Sequence, residues 1–145
     1  VIMKKFVFSA LTLCAVLPAA QAACTFNTST VESIREVVTA SGGWPISDAQ
    51  CAVLNAKKLS LLVSGDATVL DGVSVAWAAV SLIDSSSRVK ADAGRTSTYV
   101  NTKKASIDVA NEMLVSAVKD SLAQLDFNKA AAEIEAYKAK NKAKR

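Results

Sequence analysis

None of the 145 residues is histidine, and that absence decides most of the chemistry. Ser-His-Asp and Cys-His catalysis, histidine-ligated zinc and the usual proton shuttle near neutral pH all lack their central residue. The glycines are scattered, at positions 42, 43, 65, 72 and 94, so there is no phosphate-cradling loop and no cofactor motif. Of the three cysteines, Cys14 falls in an N-terminal leader. Cys24 and Cys51 remain, and two cysteines in an exported chain are expected to pair. That leaves no thiolate for a reactive site. Lipid modification of Cys24 is the rival, but Gln21 stands where a lipoprotein leader carries an apolar residue.

The carboxylates offer little more. Asp66 sits inside a predicted strand, where Asp is disfavoured, opposite Trp77. A carboxyl against an indole is a candidate general acid. The plainer reading is a solvated Asp, or one accepting a hydrogen bond. No second carboxylate is placed beside it. Asp84 and Asp92 could ligate calcium, but their spacing does not match the EF-hand loop, and turns use Asp and Ser anyway; no metal site is expected. A Ser/Lys hydrolase needs no histidine, yet no Ser-x-x-Lys opens a strong helix, and Lys103-Lys104 alone do not make one.

The elements that position these residues centre on Leu59 to Ile83. Asp71-Gly72 between two apolar runs predicts a type I′ hairpin, because that turn needs φ > 0 at both central residues. Leu70 then pairs with Val73. One face collects Leu61, Val63, Gly65, Ala67 and Val69 against Leu82, Val80, Ala78, Ala76 and Ser74. This apolar face is expected to be core. The other is mixed: Leu62, Ser64, Asp66, Thr68 and Leu70 against Ser81, Ala79, Trp77, Val75 and Val73.

Capping boxes at Ser29–Glu32 and Ser47–Gln50 predict two helices before the hairpin. The first ends at Gly42-Gly43 and the second runs to about Ala56, with Trp44-Pro45 in the loop between them. Arg88 to Ala93 reads as a short strand or a loop. Arg95 to Asn101 reads as a polar edge strand. A long helix is expected over Thr102–Leu125, with Ile107, Ala110, Leu114, Ala117, Val118, Ser121 and Leu125 on its buried stripe. A last helix carries Phe127, Ala131, Ile134 and Tyr137. The fold class is therefore α+β: a three-stranded antiparallel meander with N-terminal helices and a long C-terminal helix packed on the sheet.

Residues 1–22 read as a secretory signal, with synthesis starting at Met3: Lys4-Lys5, an apolar core, and Ala20-x-Ala22 before the cut. The core is too short to span a bilayer. A periplasmic or secreted protein follows, with residues 23–137 as one domain and 138–145 as a basic tail. The 17 basic and 13 acidic residues give a formal charge of +4, but Lys4 and Lys5 leave with the leader. Lys138, Lys140, Lys142, Lys144 and Arg145 crowd the last eight residues, where the helix should fray in solvent. The tail could touch an anionic envelope surface; nothing supports specific nucleic-acid reading.

The mixed sheet face carries the functional question. Helices from the N-terminal part are expected to cover it in a three-layer domain; left open, it marks a protein partner or self-association surface. Asp66, Thr68, Val73, Val75 and Trp77, with Trp44 in its loop, are the candidate binding residues. These features favour an exported, non-catalytic binding or accessory protein of the bacterial cell envelope. An inhibitor or immunity-type protein against an envelope-targeted enzyme is the alternative, and a small histidine-independent hydrolase a remoter one.

Overall fold

Asp71 and Gly72 both take left-handed backbone conformations, with φ of 46° and 79°, as the type I′ turn requires. The turn fixes the register of two long strands, β2 (Ser60–Leu70) and β3 (Val73–Asp84). Pairing runs without a bulge from Leu70↔Val73 to Ser60↔Ile83, as the sequence predicts. The computed structural model describes residues 24–143. The proposed leader, 1–22, lies outside them, as do Lys144 and Arg145.

Among the described residues there are four helices and a mixed sheet of five strands. The expected third strand, β5 (Arg95–Asn101), pairs antiparallel with β3 from Ser74↔Asn101 to Val80↔Arg95. The two-residue β4 (Val89–Lys90) lies on the same side of β3, beyond β5. On the far side of β2, β1 (Thr28–Ser29) adds a short parallel strand, Thr28↔Leu61 and Ser29↔Leu62. This pairing corrects the first predicted cap. Ser29 is held in the sheet, and α1 (Glu32–Ala40) starts after Val31, which offers no capping side chain. The second capping box forms in full: Gln50 N–H donates to Ser47 Oγ at 3.2 Å, and Ser47 N–H donates to Gln50 Oε1 at 2.9 Å. It opens α2 (Asp48–Lys57).

The long helix α3 (Ile107–Gln124) starts later than expected. Asn101 Oδ1 accepts the N–H groups of Lys103 and Lys104, and Ser74 Oγ accepts from Ser106 N–H at 3.0 Å. These bonds hold residues 101–106 in a turn, so Ile107 begins the helix at the exposed rim and is not part of the buried stripe. The rest of the stripe is buried as predicted, joined by Leu122. The final helix α4 (Phe127–Lys142) buries Phe127, Ala130, Ala131 and Ile134. It continues past Tyr137 in place of the expected fraying.

All four helices feed one core. Ile34 and Val38 of α1, Leu54 of α2, and the buried faces of α3 and α4 join Leu61, Val63, Ala76, Ala78, Val80 and Leu82 in a single cluster. The sheet face below α3 is built of small residues, so the helix comes close. A Cβ on Gly65 would stand 2.5 Å from Trp77 O and 3.2 Å from Leu114 Cδ1. Cys24 and Cys51 stand at disulfide distance, with Cα atoms 6.1 Å apart, tying the segment before β1 to α2.

Two outcomes follow. Gly65→Ala should destabilise by about 1–3 kcal/mol through overpacking, read as a lower denaturant midpoint at unchanged slope. The oxidised protein should weigh two hydrogens less than its reduced form, and Cys51→Ser should cost about 3–4 kcal/mol for the loop it no longer closes.

Candidate functional site

The alternation that buries one face of the hairpin sets the other outward. Asp66 pairs with Trp77, Thr68 with Val75 and Leu70 with Val73, so the hairpin candidates form one contiguous patch. β5 widens it, setting Thr98 beside Trp77 and Val100 beside Val75. Trp77 is 38% exposed, Leu70 58% and Val100 61%. The expected cover is absent among the described residues, because α1 and α2 spend their apolar residues in the same core as α3. The domain has two layers, not three. Only near β4 does this face close over, where Ser60 Oγ lies 2.7 Å from Ser85 Oγ and Ser81 Oγ donates to Ala91 O at 3.0 Å.

Trp44 does not join the patch. It is half-buried against the core cluster, in the loop between α1 and α2. Its indole covers the interior, a role its loop position did not signal.

The two sheet edges differ. In a two-residue hairpin the closing pair exchanges both backbone hydrogen bonds, and the pattern alternates from there. Leu70 and Val73 are that pair, so Val63, Gly65, Ala67 and Val69 point their backbone groups away from β3. Leu61, next in that series, donates its N–H to Asn27 O at 2.9 Å, on the β1 side. Ala67 N–H is taken by the Asp66 carboxylate at 2.9 Å. Asp66 thus blunts the β2 edge by occupying one of its donors. At β5, Thr96, Thr98 and Val100 present their backbone groups outward. No charge, proline or bulge interrupts residues 96–100, the devices by which exposed edges are usually guarded.

On the helix side, Tyr99 O–H donates to the Asp120 carboxylate. That bond, then burial and the carboxylate's charge, push the phenol above its ordinary range and hold it protonated.

Asp84, read from sequence as one residue of a turn, is nine-tenths buried. It accepts from Ser86 N–H at 2.9 Å and Ser86 Oγ at 2.6 Å, and it takes the Lys138 ammonium from α4. Lys138 first, then the Ser86 hydroxyl, hold its carboxyl well below the usual carboxylate range, against the opposing effect of burial. The contact spans 54 residues, and no local spacing announces it.

The sign of its pH dependence follows. A carboxyl lowered on folding contributes stability that is present above its unfolded pKa of about 3.9 and is lost as pH falls below it. Lys138→Met should lower stability at pH 7 by about 1–2 kcal/mol, kept small because the ammonium is half in solvent. The gap between Asp84→Asn and the parent chain should narrow as unfolding is repeated from about pH 4 downward.

No helix among the described residues is long and apolar enough to cross a membrane. No family model matches the chain, and no curated protein or solved structure shows significant similarity to it.

Proposed function

We propose that this is an exported, non-catalytic binding protein of the bacterial cell envelope, working by protein–protein contact along β5 and over the Trp77 face. One observation carries the reading. The described helices all lie on one side of the sheet, and the other side is an exposed, part-apolar surface that runs out to an unguarded strand edge. Large uncovered patches of this kind mark interaction sites.

Strand addition suits the geometry. An extended partner segment gains main-chain hydrogen bonds from Thr96, Thr98 and Val100. Its alternate side chains reach over Thr98 toward Trp77 and Val75, where the indole supplies the anchor and Thr68 and Asp66 the polar border. Export is supported by the leader pattern at 1–22 and by two cysteines at disulfide distance.

A photo-crosslinking residue placed at Val75 or Thr98 in living cells should give the same single protein adduct. At Glu112, on the exposed side of α3, it should give none. Trp77→Ala should weaken capture of that partner by at least about tenfold, as for a central aromatic anchor. Thr98→Pro should block it while leaving the fold intact, because its N–H faces out of the sheet. Equal adducts at Glu112 and Thr98, or capture unchanged in both variants, would show that the surface is wrongly assigned.

A further inference from the structure

The turn after β3 and the last helix form the walls of a groove of about 920 Å³. Two polar contacts lock them together. Asp84 at the end of β3 holds both the Ser86–Ser87 turn and Lys138 of α4. Glu133 of α4 accepts Ala93 N–H at 2.8 Å. Both acids are thereby engaged in joining the walls.

Arg88, Lys90, Lys140 and Lys142 also line the groove, with Asp92 as the remaining acid. None of these four cations forms an ion pair among the described residues. Arg88 sits at φ 57°, in the left-handed conformation that ends the pinned turn. Tyr137, 56% exposed, stands on the helical wall. From sequence, these charges are a solvated tail and a loop; folding brings them to face each other across one cleft.

We infer that this groove binds an extended polyanion whose repeating group is a phosphate. Arg88 supplies a planar fork suited to two oxygens of one phosphate, and the lysines supply point charges that tolerate a moving chain. The concave shape favours a strand lying between the walls over a flat bilayer, which would touch only the rim. The groove also lacks the row of large apolar residues that an interfacial helix inserts into lipid. It shares no residue with the Trp77 surface, so each proposal can fail without the other.

The probe is inorganic polyphosphate, titrated into the full exported chain at several salt concentrations. Binding should weaken steeply with salt. Arg88→Glu with Lys140→Glu should lower affinity by at least about tenfold and flatten the log–log salt slope by about two. Neither side chain makes a hydrogen bond or ion pair among the described residues, and a thermal midpoint matching the parent checks the fold. Lys90→Gln with Lys142→Gln, which only neutralises, should weaken binding in the same direction. Lys103→Glu with Lys104→Glu makes the same charge change outside the groove and should stay within about twofold of the parent. Equal losses in both Glu pairs would reduce the effect to net charge and overturn the site. So would absence of polyphosphate binding at low salt, or binding to phosphatidylglycerol vesicles without binding to polyphosphate.

Discussion

Side chains alternate across a strand, and two left-handed residues at Asp71 and Gly72 decide which set faces which way in β2 and β3. A slip of one residue in β2 would put Asp66, Ser64 and Thr68 under α3 and expose Leu61 and Val63. The turn therefore governs far more than its own residues. It places the small side chains Ala76 and Ala78 opposite Ala67 and Gly65, and it is this shallow strip that lets α3 lie close. With α3 down, α1, α2 and α4 can complete the same core only from its flanks.

A few polar groups buried in that core act as joints between layers. Ser121 of α3 donates to Ala78 O at 3.1 Å and lies 3.0 Å from Ser97 Oγ, fastening the helix to two strands. Ser74 ties β3 to the turn before α3. Gln50 of α2 donates to Leu122 O at 3.1 Å. Each joint satisfies groups that would otherwise be costly to bury or would leave a helix end loose. The outer face of the sheet has few such ties away from β4. Its apolar residues are exposed because the helices are used up on the other side.

The parts of the fold that were legible in the sequence are those set by local chemistry. The Asp-Gly turn, the Ser47–Gln50 cap and the buried residues of α3 and α4 each depend on neighbours a few positions away. The rest depends on distant partners. Ser29 has cap-like spacing to Glu32, but its backbone is claimed by β2 some thirty residues on, and no side-chain pattern registers that competition. Lys138 looked like the start of a solvated tail because its partner, Asp84, lies in a turn cluster of ordinary composition. The open face was misjudged for another reason: apolar content signals a need for cover, but not which helices are free to supply it. The patch residues on the hairpin were legible because their grouping follows from the turn alone; Trp44, set by loop packing, was not.

The Asp84–Lys138 contact also bears on when the molecule can finish folding. It joins a residue past the middle of the chain to one in the last helix, and β1 and Cys24 wait on partners in the β2 and α2 region. A hairpin closing on a tight turn is fast, but pairings across large sequence separations come late. A chain made from its N-terminus forward has β2 and β3 paired, with the small-residue strip uncovered, until α3 and then α4 emerge. Synthesis of the last helix thus sets the earliest moment at which the core can be sealed. Until then the strip lies open to solvent and to other chains, the condition in which a nascent polypeptide is most prone to associate wrongly.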